Sequence, residues 1–367
     1  MTGYAITLTL GKSLLHETKS TDQLLKVEDY KVGFRTDRGL AKAVDGVSFS
    51  LNKGKTLAIV GESGSGKTVL NRGIMGLLGS NIIESGSVEF LGEELINQNR
   101  QKFWGKKMAM IFQDPMTSLN PVMKVGKQVS EPLRLHQGMT RKEARERTVE
   151  LFTQVGIPEP AKRFDEYPHQ LSGGMRQRVM ISIALAIQPD LLIADEPTTS
   201  LDVTVQKYIL DLLMEVQADL DMSMIIITHD LGVARGRADE IMVMYGGQIM
   251  EQAPAETLFQ NMSHPYTSAL LSSIPKLDYP KHTRLSPIPG FPPDIVDGPE
   301  GCKFAPRCEY AQDICLNEVP KSSSDSSHTF ACHYPCGTMQ GSEALQINQS
   351  RGFNATGLKV KSKEEVN

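Results

Sequence analysis

Cysteine is absent from the first 301 residues of this 367-residue chain, and all five cysteines lie between Cys302 and Cys336. Residues 1–20 contain no long apolar core, so we expect no secretory signal at this end. A protein that is not exported meets a reducing environment, where clustered cysteines ligate metals or clusters more often than they form disulfides. The clustering therefore predicts a local role for these thiols.

A long apolar run and an excess of positive charge are also missing. No stretch approaches the roughly 18 apolar residues that a membrane-spanning helix needs. The formal net charge is −4 and the isoelectric point is near 6.1, so no electrostatic footprint for nucleic acid is visible. We therefore expect a soluble protein without a nucleic-acid partner, which reaches a membrane only through other proteins.

The apolar pattern indicates an α/β fold. Alternating apolar and polar residues predict antiparallel strands over 24–34 and 43–54. Short apolar runs predict buried strands at 56–60, 108–112, 191–195 and 224–228. Because helical patterns separate these runs, the core is expected to contain a parallel sheet.

Composition and pattern also divide the chain. We expect an N-terminal arm (1–23), a main α/β domain (24–260) with an inserted helical subdomain (about 114–172), a Cys-containing C-terminal extension (261–340) and a polar, disordered tail (341–367). No internal repeat is visible, which argues against a tandem arrangement of two such domains.

A glycine-rich loop links the strand at 56–60 to a helical pattern. The residues that fit a phosphate-binding loop are Gly61, Ser63, Gly64, Ser65, Gly66, Lys67 and Thr68. In such a loop, backbone N–H groups and the start of the helix surround phosphates, Lys67 reaches the β- and γ-phosphates, and Thr68 ligates Mg²⁺. The strand before and the helix after make a nucleotide site the favoured interpretation over a plain glycine-rich turn.

Two adjacent acids end the apolar strand at 191–195. Asp195 can hold Mg²⁺, and Glu196 can orient or deprotonate an attacking water. Taken alone, two such acids could simply cap the next turn. Together with the phosphate loop they favour nucleotide hydrolysis.

A second possible anion cradle lies more than 100 residues after the first. Ser172, Gly173 and Gly174 precede a helical pattern, and the sequence LSGGM at 171–175 resembles the signature motif of the ABC ATPase family, with Met175 where Gln is most common. In that family the cradle faces the γ-phosphate bound to the opposite subunit. The resemblance therefore implies that two chains share each nucleotide, and that the fold is an ABC-type phosphate-loop ATPase with an antiparallel β subdomain and a helical subdomain.

Other family motifs follow in the expected order. Gln113 resembles the Q-loop glutamine that touches Mg²⁺, Ser200-Leu201-Asp202 resembles the D-loop at the dimer seam, and His229 resembles the switch histidine at the γ-phosphate. A lone His after a strand is more often structural, but its place in this series favours the functional role. For an aromatic ring that stacks on adenine, Phe34 is the candidate and Tyr30 the rival.

Longer segments are similar to the ATPases of bacterial dipeptide and oligopeptide importers: GESGSGKT, IFQDPMTSLNP, LLIADEPTTSLDVTVQ, HPYTSALLSSIP and GCKFAPRCEYAQDICLNEVP. This resemblance implies ATP and Mg²⁺ as ligands and a place on the cytoplasmic face of the inner membrane. It also implies the partners, which are two permease subunits, an extracytoplasmic substrate-binding protein and a second, related ATPase in a heterodimer.

The same subfamily resemblance bears on the cysteines. Cys302, Cys308, Cys315 and Cys332 match the set that holds a 4Fe–4S cluster in such ATPases, and Cys336 falls outside it. We therefore expect a 4Fe–4S cluster, with a zinc site or free structural thiols as alternatives.

Other functions are weighed against this one. Nickel, glutathione and oligosaccharide importers belong to the same subfamily, and an exporter ATPase is a further possibility. A soluble ABC-type ATPase of DNA repair or translation usually carries coiled coils, tandem cassettes or basic extensions, which are absent here. A non-catalytic regulatory subunit is disfavoured because Lys67, Asp195, Glu196 and His229 are all present.

Overall fold

A computed structural model describes residues 22–198, 203–273, 287–325 and 327–360. The strands are β1 (Gln23–Thr36), β2 (Gly39–Asn52), β3 (Thr56–Val60), β4 (Ile82–Phe90), β5 (Glu93–Glu94), β6 (Met108–Ile111), β7 (Leu191–Asp195), β8 (Ser223–Thr228), β9 (Glu240–Tyr245), β10 (Gln248–Pro254), β11 (Ser322–Asp325) and β12 (His328–Ala331). The helices are α1 (Lys67–Met75), α2 (Pro115–Ser118), α3 (Val125–Gln137), α4 (Arg141–Gln154), α5 (Pro160–Arg163), α6 (Gly173–Leu185), α7 (Val203–Leu220), α8 (Leu231–Ala234), α9 (Ala255–Gln260), α10 (Pro265–Ser272), α11 (Asp313–Asn317) and α12 (Met339–Arg351).

The larger sheet has eight strands in the order β11-β12-β10-β9-β3-β8-β7-β6. Strands β9, β3, β8, β7 and β6 run parallel, and the other three add antiparallel pairs at one edge. Every residue of β3, β7 and β8 is buried, as expected for parallel strands that are covered on both faces. The parallel α/β core is therefore confirmed, and the carboxyl ends of these strands share one edge.

A second sheet of four strands, in the order β2-β1-β4-β5, is antiparallel. Its apolar face and α1 form one core with β3 and β8, which includes Val32, Leu57, Leu70 and Ile225. The two predicted antiparallel strands correspond to β1 and β2. Together, the two sheets enclose α1 and fix its N-terminus beside β2.

The segment between β6 and β7, residues 112–190, contains helices and no strand. Helix α4 begins with a capping box in which Thr140 and Glu143 each bind the other's backbone N–H. Val129, Leu133 and Phe152 are fully buried in a core that continues to β7 and β8. The helical segment thus packs against the parallel sheet.

The C-terminal extension shares a core with the parallel sheet. Tyr245 of β9, Tyr266 of α10 and Phe304 pack with ring centroids 4.6–5.3 Å apart, and all three rings are buried. Ala58 and Val60 of β3 belong to the same core. The extension therefore packs against the strand that leads into the phosphate loop.

The structure contradicts the prediction of a disordered tail over residues 341–360. Helix α12 begins at the Thr338 cap, and Asn348 donates hydrogen bonds to the carbonyl oxygens of Glu309 and Ala311. Because such hydrogen bonds help to hold the helix, it does not depend on an apolar stripe that the sequence would reveal. The predicted arm at 1–21 and residues 361–367 lie outside the described residues.

Candidate nucleotide-binding site

The loop between β3 and α1 closes tightly against β2 and β9. A Cβ atom on Gly66, whose φ is +100°, would lie 2.3 Å from the carbonyl oxygen of Ala43. A Cβ atom on Gly61 would lie 2.2 Å from the carbonyl oxygen of Met244. Glycine is therefore required at both positions, and the backbone forms a cradle at the N-terminus of α1.

Lys67 is buried and its ammonium group is folded onto its own loop. Nζ donates to the carbonyl oxygens of Gly61 at 2.7 Å and Glu62 at 2.9 Å, and it lies 3.4 Å from Ser65 Oγ. Burial lowers the pKa of Lys67, while Glu196, Asp195 and Glu62 oppose that shift. Backbone carbonyls and nearby carboxylates thus hold a cation where a phosphate loop needs one.

Asp195, at the end of β7, lies beside the start of α1. Thr68 Oγ1 donates to Asp195 Oδ1 at 3.1 Å, and Asp195 Oδ2 is buried without a hydrogen-bond partner among the described residues. Burial raises the pKa of Asp195, against the hydrogen bond from Thr68 and the charge of Arg72. A half-buried hydroxyl and a buried carboxylate with one unsatisfied oxygen are a donor set that fits Mg²⁺.

Three further side chains meet beside this pair. Gln113 Nε2 donates to Glu196 Oε2 at 2.9 Å, and His229 Nδ1 lies 3.6 Å from the same oxygen. The Glu196 side chain is only 14% exposed, whereas that of His229 is 58% exposed. The ends of β6, β7 and β8 therefore bring Gln113, Glu196 and His229 together.

The backbone of Glu196 is strained. Its φ is +46°, in the left-handed region that non-glycine residues rarely adopt, while its N–H donates to the carbonyl oxygen of Ile227 at 3.1 Å. Such strain concentrates at functional sites because the surrounding structure must hold it. The conformation fixes where the Glu196 carboxylate leaves the sheet.

The second predicted cradle is an exposed helix N-terminus. Ser172 Oγ accepts a hydrogen bond from the Met175 N–H at 3.4 Å, and Ser172 and Gly173 are exposed. Among the described residues, a Cβ atom on Gly173 would meet no atom within 4 Å, and one on Gly174 would meet only Val205. The described part of the chain therefore leaves space beside Gly173 at the N-terminus of α6.

Of the two aromatic candidates for adenine stacking, Tyr30 is excluded. Tyr30 is fully buried, and its hydroxyl donates to Glu84 Oε1 at 2.5 Å. Phe34 is half-buried at the end of β1, where it pairs with Ala41 of β2. Ala43, two residues along β2 from Ala41, covers Gly66, and Phe34 is the candidate that stays. The predicted Ser200–Asp202 motif lies outside the described residues.

The structure adds residues that the sequence analysis missed. Glu62, inside the phosphate loop, forms a two-point ion pair with Arg307 of the extension, at 2.5 and 3.0 Å. The Glu62 N–H donates to the Tyr266 hydroxyl at 2.8 Å. Arg307 lies 245 positions from Glu62, and no local pattern signals such a pairing.

The prediction of a 4Fe–4S cluster is wrong. Across the described ranges, no group of three or more His, Cys, Asp or Glu residues is arranged to hold a metal ion. The five cysteines are free thiols, and Cys302, Cys308, Cys315 and Cys332 line one small cavity with apolar neighbours such as Phe304. Burial raises the pKa of each of these thiols, that of Cys302 to about 11.

Within the part of the chain that the structure describes, no helix combines the length and the apolar character needed to cross a bilayer.

Comparisons with known protein families match two parts of the chain. The family model described as ABC transporter matches residues 44–199, and the model described as oligopeptide/dipeptide transporter, C-terminal region, matches residues 250–315. The first match contains the phosphate loop, Gln113, the α6 N-terminus and Glu196. The second contains α10, Arg307 and three of the cysteines.

Characterised relatives are similar over most of their length. An oligopeptide transport ATP-binding protein of Bacillus subtilis is 49% identical over 81% of this chain and 85% of its own. One of Salmonella typhimurium is 45% identical over 89% of this chain and 98% of its own. A dipeptide transport ATP-binding protein of Escherichia coli is 46% identical over 85% of this chain and 97% of its own.

Solved structures agree with the fold. A dimeric ATP-binding cassette in a post-hydrolysis state with ADP and Pi superposes with a TM-score of 0.58, at 26% identity over 63% of this chain and 99% of that chain. A Clostridium perfringens protein, part of the ABC transporter complex cbiONQ, gives a TM-score of 0.56 at 29% identity, over 65% of this chain and 91% of that chain.

Proposed function

The chain belongs to the ABC transporter family of ATP-binding proteins, and we propose that it is the ATPase subunit that powers a bacterial dipeptide or oligopeptide importer. The observation that carries the proposal is the convergence of Lys67, Thr68, Asp195, Glu196, Gln113 and His229 at the carboxyl ends of β3, β6, β7 and β8. ATP hydrolysis needs a cation for the phosphates, oxygen ligands for Mg²⁺ and a carboxylate that activates water, and these residues offer all three.

The substrate of the site is MgATP. The ammonium of Lys67 would exchange its two loop carbonyl partners for phosphate oxygens, and the backbone N–H groups at the start of α1 would surround the phosphates. Thr68 and Asp195 would hold the Mg²⁺ that accompanies the nucleotide, with Gln113 as a third contact. Phe34 would stack on adenine.

Glu196 is the general base in this proposal. Its carboxylate receives a hydrogen bond from Gln113 and lies beside His229, so these two residues fix its direction and leave it able to accept a proton from water. His229, which is more exposed, would contact the γ-phosphate. Water activation and charge stabilisation would thus come from different strands.

The second half of each site would come from another subunit. The N-terminus of α6 is exposed at Ser172 and Gly173 and offers backbone N–H groups to an anion, and the family resemblance supports an anion bound by a partner chain. Asp202 would line the same seam. ATP would then stabilise the closed dimer, and loss of the γ-phosphate would loosen it, so that the affinity difference between the two states drives transport.

We infer the other partners from the named relatives. Two permease subunits and an extracytoplasmic binding protein would complete the importer, and the second ATPase would be a related, non-identical chain. The protein would lie on the cytoplasmic face of the membrane. The match of residues 250–315 to the oligopeptide/dipeptide transporter region supports peptides over nickel, glutathione or oligosaccharides as cargo.

The test is reconstitution with the permeases, binding protein and second ATPase in vesicles. Wild-type protein is expected to hydrolyse ATP faster when binding protein and peptide are supplied. In Glu196→Gln, the amide oxygen can still accept the hydrogen bond from Gln113, but the side chain can no longer act as a base. ATP turnover should therefore fall by about 10²-fold or more, while MgATP still binds.

Glu166→Gln serves as the matched control, because Glu166 pairs with Arg163 in the helical segment and lies outside the site. Its turnover should equal that of wild type. Normal ATP hydrolysis by Glu196→Gln would reject the assignment of the base, and stimulation by a non-peptide cargo alone would reject the peptide importer.

A further inference from the structure

Glu62 of the phosphate loop is held by the C-terminal extension through both its backbone and its side chain. Its N–H donates to the hydroxyl of Tyr266, a residue with no exposed surface in α10. Its carboxylate receives two hydrogen bonds from Arg307. The extension therefore contacts the loop at Glu62, and the carbonyl oxygen of Glu62 also accepts a hydrogen bond from the Lys67 ammonium.

Arg307 is almost fully buried where it contacts Glu62. Its side chain is 3% exposed, and that of Glu62 is 27% exposed. The guanidinium also donates to the Tyr245 hydroxyl at 3.1 Å and to the carbonyl oxygens of Pro289 and Ile288. With these partners its geometry is fixed on every side, and a planar two-point pairing with a carboxylate results.

The position of the Glu62 carboxylate matters because Lys67 contacts the same residue. The Lys67 ammonium donates to the Glu62 carbonyl oxygen at 2.9 Å, so a carboxylate released from Arg307 would have this cation beside it. If Arg307 did not engage the carboxylate, Glu62 could pair with the Lys67 ammonium. That pairing would compete with phosphate binding and would leave an unneutralised negative charge beside the polyphosphate.

We propose that Arg307 is a positioning residue of the nucleotide site, which keeps Glu62 away from Lys67 and thereby couples the C-terminal extension to ATP binding. This inference rests on the proposed function, since it concerns the same phosphate loop. It assigns to the extension a direct influence on nucleotide affinity, and a rearrangement of the extension around Arg307 would alter that affinity.

The experiment measures the Kd for MgATP by calorimetry on the full-length chain. Arg307→Met is expected to raise the Kd about tenfold, because a hydrogen bond to a charged group is commonly worth that factor or more. Glu62→Gln alone should change the Kd by less than about threefold, since a neutral amide neither captures Lys67 nor repels phosphate. The double variant should recover most of the affinity that Arg307→Met loses.

The rescue separates positioning from simple stabilisation. If Arg307→Met lowers the Tm but leaves the Kd within about twofold of wild type, or if Glu62→Gln does not rescue it, the proposal is overturned. Should Arg307→Met not fold, Arg307→Lys keeps the charge but loses the two-point pairing, and its Kd must still rise and be restored by Glu62→Gln.

A matched control weakens the extension elsewhere. Gln312 donates to the Asn348 side chain and to the Ala344 carbonyl oxygen, which fastens α12 without touching Glu62. Gln312→Ala should lower the Tm with an unchanged Kd, and a Kd that rises as much as in Arg307→Met would overturn the specific role of Arg307. A wild-type chain that binds no MgATP would instead refute the proposed function itself.

Discussion

At the scale of single residues, the nucleotide site holds opposite charges in places where burial disfavours both. Burial raises the pKa of Asp195 and lowers that of Lys67, so each group is pushed towards its neutral form. Asp195 Oδ2 has no hydrogen-bond partner within the described residues. Burial of these charges therefore costs free energy, and the opposite charges of MgATP would offset that cost on binding.

This cost predicts that Asp195→Asn stabilises the nucleotide-free protein. An unfolded Asp ionises near pH 3.8, and the folded one does so only at higher pH, so wild type loses stability as pH rises between these two values. The amide can still accept from Thr68, and it never ionises. We expect a gain of about 1–2 kcal/mol in unfolding free energy at pH 7.5, with a smaller gain at pH 4.5.

Urea denaturation at the two pH values measures this gain, and the same variant should lose ATP turnover. Thr153→Ala is a control on an exposed helical hydroxyl that bonds only within α4. A variant less stable than wild type at both pH values would contradict the prediction.

At the scale of elements, α10 explains why the sequence HPYT begins the extension. The side chain of His264 caps the helix by accepting from the Tyr266 N–H at 3.0 Å, and Pro265 occupies the first turn. Tyr266 then reaches the phosphate loop. The first residues of α10 thus both cap the helix and contact the phosphate loop.

The cap requires a neutral imidazole, and burial lowers the pKa of His264 to about 3. An unfolded His protonates below about pH 6.5, so the folded state loses stability as pH falls from 6.5 towards 3. His264→Asn keeps an acceptor at the cap and does not titrate. Between pH 7.5 and 5.0, wild type should lose about 2 kcal/mol more unfolding free energy than this variant.

Urea denaturation at both pH values tests this prediction, because the two proteins differ only at residue 264 and the contributions of all other groups cancel in the comparison. Equal losses in the two proteins would show that His264 does not control the acid sensitivity.

The sequence predicted those elements whose evidence is local. The strand-loop-helix at 56–75 and the acids after β7 were identifiable because the chemistry lies within a few residues. The Glu62–Arg307 pair was not, since only the folded core joins residues 245 positions apart. Cysteine spacing suggested a cluster, but it could not show that the folded chain surrounds these thiols with apolar neighbours such as Phe304. Helix α12 was missed because hydrogen bonds, rather than an apolar stripe, hold it.

At the scale of the whole molecule, one chain offers a built phosphate loop and a separate exposed helix start. The first has its charges arranged around Lys67, while at the second no described atom lies within 4 Å of a Cβ atom placed on Gly173. A single chain would then bind nucleotide yet hydrolyse it slowly, and assembly would supply the remaining groups.

Gly173→Asp tests whether one subunit binds the nucleotide while the other supplies the start of α6. A Cβ atom at this position meets no atom of the described residues within 4 Å and needs no left-handed backbone, so the Tm and the Kd for MgATP of the isolated chain should stay close to wild type. In the assembled ATPase, however, a carboxylate would face the γ-phosphate of the partner's nucleotide, and turnover should fall by about 10²-fold. Gly173→Ala, which adds volume without charge, should lose much less. Full turnover of the Asp variant in the reconstituted transporter would mean that the start of α6 does not contact nucleotide across the subunit boundary.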